Sequence, residues 1–268
     1  MKRTFSKKHS IIVKIAFIII CLTAWEIVAH SGIMGPSSRL IFPPLEDIFK
    51  AFITNFSIGY GGNSLWVYIA NSLWLLFEGL LIGIGLAFIL SGLSVISKTI
   101  YNIYDLLVSI FDLLPGVALL PVVIIIFGIK SGVIVFLIVH AVIWPMSRNI
   151  LDGFNSVPSI YIESGFNIGL KGFSLLIGVY LPASISYIVS GLKVSWARAW
   201  RGLISAEMIF GIASCPGIGL FINQMRTNLK NAEMYATLLV IIIIGLIVQY
   251  GILDPIERNT VKKWGMSR

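Results

Sequence analysis

Tyr161–Pro182 reads YIESGFNIGLKGFSLLIGVYLP, a mixed stretch between two long apolar blocks. It opens on Glu163-Ser164-Gly165, sets Gly169 after three more residues, and closes on Val179-Tyr180-Leu181-Pro182. Glycine lets a chain turn tightly between helices. Proline costs nothing in the first turn of a helix, where its missing N–H has no partner to lose. The stretch therefore reads as a helix, a turn at Gly169 and a new helix starting near Pro182. Which surface it faces depends on the blocks around it.

Those blocks belong in lipid. Of the 268 residues, 57% are hydrophobic and only 12% charged, with a mean hydropathy of +0.93. Soluble domains carry about a quarter charged residues, so this much apolar surface has to face a bilayer. The net charge of +8 is not the footprint of a nucleic-acid binder, because the basic residues sit at the edges of the apolar blocks. Cys21 and Cys215 give no disulfide framework and no metal-ligand spacing. The N-terminus has the basic start of a signal peptide, but Lys14 and Glu26 interrupt its apolar run and no small-x-small site follows, so it reads as an uncleaved first span.

Six spans are expected in an all-α membrane protein: about 11–30, 64–95, 101–128, 131–150, 181–211 and 235–253. The organisation is an N-terminus over 1–10, a first span with an external segment over 11–63, a core over 64–255 with a loop at 151–180, and a basic tail over 256–268. Leu45 to Phe56 reads as a short amphipathic helix opened by Glu46-Asp47, and Gly219 to Asn231 as a second amphipathic segment. Gly79 and Gly83, at GxxxG spacing in span 2, allow a neighbouring helix to approach closely. Pro115 and Pro121 break span 3, and the carbonyls they free need protein or water, so span 3 faces the interior. With six spans, 12 of the 20 basic residues fall on the side of the termini and five on the other, the remaining three lying within span 5. This bias puts both termini and the 151–180 loop in the cytoplasm.

Glu78, Asp105, Asp112, Lys193, Arg198, Arg201 and Glu207 lie in or near spans. A charge at a helix centre costs about 2.5–3.5 kcal/mol on insertion scales, so each needs water or a partner. Arg198 and Arg201 share a helical face. They line a path for an anion, or they pair with Glu78, Asp105, Asp112 or Glu207 to fix packing; both readings stand. Pro115, Pro121, Lys193, Arg198, Arg201 and Glu207 are the candidate path residues. His140, in span 4, reads as a satisfied interior histidine. No phosphate loop, HExxH or GxSxG occurs, and the three histidines do not cluster. The chain does not hydrolyse nucleotide by itself, and no enzyme site or cofactor is expected. No ring-forming filter segment points to a channel.

The spacing Glu-small-small, three residues, Gly, nine residues, aliphatic, one residue, Leu-Pro resembles the cytoplasmic loop of bacterial ABC importer permeases. Here it is carried by Glu163, Ser164, Gly165, Gly169, Val179, Leu181 and Pro182, with Ser-Gly in place of the commoner Ala-Ala and Val in place of Ile. Phe42-Pro43-Pro44-Leu45-Glu46-Asp47-Ile48, Pro115 to Pro121 with Phe127-Gly128, Asn149 to Gly153 with Val157-Pro158, Ala206-Glu207-Met208 and Gly217-Ile218-Gly219 resemble the nitrate, aliphatic sulfonate and taurine permease subfamily. Leu75 stands where that subfamily often has Arg, and Glu78 is unusual there. The resemblance implies the type I permease fold of an ABC importer in the bacterial inner membrane. It implies a homodimer, two ATPase subunits that dock on Glu163, Ser164, Gly165, Gly169, Leu181 and Pro182, and an extracytoplasmic solute-binding protein. The implied solute is a small anion such as a sulfonate, taurine or nitrate. A thiamine precursor or other heterocycle is the alternative cargo, and a secondary transporter, usually built on internal repeats, the alternative class.

Overall fold

The structure is a computed structural model that describes residues 7–33, 35–57, 62–212 and 215–262. Lys2, Arg3 and Gly61, and Lys263 and Arg268 of the basic tail, lie outside the described residues. No β-strand forms among the described residues. In chain order the helices are α1 (Lys7–Ser31), α2 (Ser38–Ile41), α3 (Leu45–Ser57), α4 (Leu65–Ser94), α5 (Lys98–Phe111), α6 (Leu120–Phe127) and α7 (Ser131–Asn155). They continue as α8 (Ser159–Asn167), α9 (Phe173–Leu175), α10 (Leu181–Ala183), α11 (Ile185–Phe210), α12 (Ile218–Thr227), α13 (Asn231–Val248) and α14 (Asp254–Glu257). π-helical turns at Leu176–Tyr180 and Gln249–Leu253 join α9 to α10 and α13 to α14.

Four stretches are long and apolar enough to cross a membrane: Ile11–Ser31, Leu65–Ser94, Ser131–Asn155 and Asn231–Thr260. Two bent pairs bring the count to the expected six, if each pair is one span. Lys98–Phe111 with Gly116–Phe127 bends by 88°, and Phe173–Ala183 with Ile185–Phe210 by 76°. The first bend falls at residues 112–115, as the proline at 115 requires. Pro121 does not break the helix as expected; it sits in the first turn of α6, where its missing N–H costs nothing. The second bend, at Ser184, was not expected. The expected loop is also shorter than 151–180, because α7 runs on to Asn155 and helix resumes at Phe173. Leu151, Gly153 and Phe154 are buried and Asn155 donates a 2.7 Å hydrogen bond to the Tyr101 hydroxyl, so tertiary contacts carry α7 through residues that look like a loop.

The chain forms two compact units, residues 1–65 with 221–240 and residues 66–220 with 241–268. In the first unit, α3 packs the buried Ile48 and Ala51 against Ala236. Trp25 of α1 donates to the Pro43 carbonyl at 3.0 Å and lies edge-on to Phe42 and Tyr235. Glu26, which interrupts the apolar pattern of span 1, accepts the Leu45 N–H at 3.0 Å and so caps the start of α3. Asn55 donates to the Glu233 carbonyl at 3.1 Å and to the Thr237 hydroxyl at 3.3 Å.

In the second unit α7 is the most buried span. The glycines of α4 meet it as the GxxxG spacing predicts: a Cβ on Gly79 would lie 2.6 Å from Ile138 Cβ, and one on Gly83 would lie 2.8 Å from Val142 Cβ. On another face of α7, Asn149 and Met146 close on Gly191 of α11. Ala87, Ile143, Met146, Ile150, Phe154 and Leu176 form a buried cluster that holds the root of the 156–172 loop.

Candidate functional site

The loop around α8 is one of two separate candidate regions, with no lining residue in common with the other. Pro158 precedes α8, whose termination is a Schellman motif: the Leu170 N–H bonds the Gly165 carbonyl and the Gly169 N–H bonds the Phe166 carbonyl, both at 2.9 Å. Gly169 takes the left-handed φ of +87° which that motif demands. Gly165 is buried because a Cβ there would lie 2.7 Å from Leu175 and 3.0 Å from Val179, so α8 rests directly on the π-turn. Glu163 and Ser164 are exposed, and Ser164 bonds back to the Ile160 carbonyl at 2.6 Å. Ile160, Tyr161, Phe166 and Ile168 expose apolar side chains around the same helix. An apolar hollow of about 640 Å³ lies between α8 and the segment after it, lined by Tyr161, Gly165, Ile168, Val179 and Pro182 among others. Leu181 turns the other way and packs against the buried cluster of α7. Pro182 lies inside one continuous helical stretch, directly after the π-turn, and not at the head of a fresh helix as expected. A proline N–H is missing there whatever the register, and a wide turn before it is one way for a helix to absorb that loss.

The second region is a cavity of about 290 Å³ at the first bend. Asp112, Pro115 and Gly116 form one wall, His140, Ala141, Trp144 and Pro145 of α7 another, and Arg198 and Arg201 of α11 a third. Pro145 inside α7 removes the α-helical donor from the Ala141 carbonyl. Phe111 stacks on Trp144 with ring centres 4.9 Å apart. His140 is buried, but its Nε2 and the Trp144 Nε1 have no hydrogen-bond partner among the described residues, so His140 is not the satisfied interior histidine expected. Arg198 pairs with Asp112 at 2.5 Å. Arg201 bonds only its own helix, from Nε to the Ala197 carbonyl at 2.9 Å, and forms no ion pair among the described residues. The two arginines therefore differ: Arg198 is ion-paired, while Arg201 lines the cavity with no ion pair among the described residues.

The other candidate path residues lie outside this lining. Pro121 sits at the start of α6. Lys193 of α11 pairs with Asp254 at 2.8 Å and Glu257 at 2.5 Å, and Gln249 adds a bond to Asp254 at 3.0 Å. Asp105 pairs with Arg148 of α7 at 2.8 Å. Glu78 is exposed and has no ion pair among the described residues. Glu207 is 1% exposed and forms no ion pair among the described residues. Its carboxylate accepts the Ser72 hydroxyl at 2.7 Å and the Gly219 N–H at 2.9 Å, while Ser72 Oγ accepts the Ile218 N–H at 2.8 Å. The first N–H groups of α12 are thus capped by side chains from α11 and α4. A Cβ on Gly217 would fall on the Glu207 carboxylate, and one on Gly219 would lie 2.6 Å from Glu207 Cβ. Nearby, burial and the Glu207 charge push the Cys215 thiol up from its ordinary value.

His140, Trp144 and Pro145 are the cavity residues that sequence reasoning missed. The one signal for them was Pro145 within an otherwise helical run, the same kind of mark that drew attention to Pro115. The His/Cys/Asp/Glu side chains form no group able to hold a metal ion among the described residues.

Residues 79–260 match the family described as binding-protein-dependent transport system inner membrane component. The taurine transport system permease protein TauC of Escherichia coli (strain K12) is 27% identical over 257 residues, 94% of this chain and 90% of its own length. The putative ABC transporter permease protein MJ0413 of Methanocaldococcus jannaschii is 26% identical over 242 residues, 90% of this chain and 88% of its own. The putative aliphatic sulfonates transport permease protein SsuC of Escherichia coli (strain K12) is 28% identical over 224 residues, 84% of this chain and 81% of its own.

Proposed function

Since the chain belongs to the family of binding-protein-dependent transport system inner membrane components and is thus a multi-pass membrane subunit of an ABC importer and not itself an enzyme, we propose that it forms the path for a small anionic solute. The solute is of the sulfonate, taurine or nitrate kind and comes from an external binding protein. The observation that carries this reading is the cavity at the first bend, where two guanidiniums face one carboxylate. Arginine presents a planar fork of donors that suits the oxygens of a sulfonate, carboxylate or nitrate. The names of the relatives, among them permeases for taurine, aliphatic sulfonates and nitrate, point the same way.

The energy comes from elsewhere. Two copies of the chain stand over two ATPase subunits, with both termini and α8 in the cytoplasm. ATP binding closes the ATPase pair, α8 moves with it, and the bent spans switch the path from inward-open to outward-open; hydrolysis resets them. The exposed apolar residues of α8 and the seat of Gly165 on the π-turn support this role, because a helix seated that tightly transmits displacement.

Arg201→Gln tests the solute class. In proteoliposomes holding the complete importer, uptake of taurine, methanesulfonate or nitrate is expected to fall roughly ten- to hundredfold, the worth of one charge-assisted hydrogen bond, with unchanged abundance of the permease. Unchanged uptake would sink the anion path. Uptake that persists without ATP or the ATPase subunit would return the chain to the secondary transporters. Gly169→Val tests the coupling. A β-branched residue at φ +87° is strained by about 1–3 kcal/mol. Uptake is expected to drop severalfold while the protein stays in the membrane, and normal uptake would remove α8 from the coupling role.

A further inference from the structure

Asp112 is an anion already seated in the cavity, and three observations make its seat a weak one. It caps the C-terminal end of α5, where its N–H bonds the Val108 carbonyl, and the partial negative charge of a helix C-terminus disfavours a carboxylate. It meets Arg198 through one contact, Oδ1 to Nη1 at 2.5 Å, whereas a strong arginine–carboxylate pair uses both oxygens. The pair is also open to its surroundings, with side chains 41% and 22% exposed. Arg201 stands one turn further along α11 with no ion pair among the described residues, and the chain bends by 88° immediately after Asp112.

We propose that Asp112 is a tethered stand-in for the solute. It occupies Arg198 while the cavity is empty, and the oxyanion group of the solute displaces it on binding across Arg198 and Arg201. Displacement frees the residues between Asp112 and Gly116, so the first bend registers whether the cavity is filled. The ligand class is a small solute carrying a sulfonate, carboxylate or nitrate group. This rests on the anion path proposed above.

The test uses the complete importer, permease with ATPase and binding protein, in proteoliposomes. Taurine, methanesulfonate and nitrate are the probes. Asp112→Asn keeps the shape and removes the competing charge. It is expected to lower the apparent KM for the accepted probe roughly three- to fivefold, the range set by a solvent-exposed ion pair. It should also raise ATPase activity in the absence of solute by a similar factor. Asp112→Glu, which restores a carboxylate, is expected to return solute-free ATPase activity towards the wild-type level. Wild-type KM and solute-free ATPase activity in Asp112→Asn would overturn the stand-in while leaving the anion path intact. Loss of Asp112→Asn from the membrane, repaired in the Asp112→Asn/Arg198→Gln double variant, would also overturn it, since the pair would then serve only to hold the helices. If Arg201→Gln transports all three probes as the wild type does, the anion path falls, and the stand-in with it.

Discussion

Asp112 and Glu207 are both carboxylates in membrane-spanning helices, and they are held in opposite ways. Asp112 sits at a helix C-terminus, partly exposed, against one exposed guanidinium. Glu207 is sealed, has no cation partner among the described residues, and is held by a serine hydroxyl and a backbone N–H at a helix N-terminus. A long, solvated arginine can let go of its partner at little cost, because water takes its place. A buried carboxylate held by fixed dipoles cannot, because nothing replaces them once water is excluded. The two glycines at 217 and 219 reinforce the difference, since no side chain could enter without moving Glu207. The difference separates a carboxylate open to exchange of its partner from one that ties α4, α11 and the start of α12 together.

The sharpest way to break this contrast is Glu207→Ala. It leaves the Gly219 N–H buried and unpaired and opens a void, and is expected to destabilise the protein by about 2–4 kcal/mol, read as a lower thermal midpoint of the detergent-purified protein. Ser72→Ala should cost less, about 1–2 kcal/mol, because Glu207 keeps its bond to Gly219; a loss as large as that of Glu207→Ala would make Ser72 the central element. Arg198→Gln is expected to move stability by no more than about 1 kcal/mol, with any effect shrinking as salt is raised. An Arg198→Gln midpoint that falls as far as that of Glu207→Ala, in low and high salt alike, would erase the distinction between the two carboxylates.

What could be read from the sequence was local. The Gly79/Gly83 spacing, the break at Pro115, the turn at Gly169 and the helix opened by Glu46-Asp47 each depend on a few neighbouring residues, and each stands in the structure. The partners of charged residues were harder to see, because they lie far away in sequence. Lys193 reaches 61 residues on to Asp254, and Glu207 answers to a neutral serine 135 residues back, which no search for opposite charges finds. The extension of α7 to Asn155 depends on Tyr101 of α5. Gly165 packs against Leu175 and Val179, residues that lie ten and fourteen positions on, and no single residue marks the bend at Ser184. The unpartnered Nε2 of His140 is not legible in the sequence, because a lone histidine in an apolar run carries no mark of whether its ring nitrogens are paired.

The contact of Gly79 and Gly83 with Ile138 and Val142 has a consequence for the electrical tightness of the membrane. A potential of about 100 mV drives each monovalent ion with roughly 2.3 kcal/mol, and a continuous file of waters between two helices would carry that current as protons. At Gly79 and Gly83 the backbone of α4 lies against the side chains of α7 with no space for a methyl group, and so none for a water at those two levels. At these two positions the seam between α4 and α7 is closed to water.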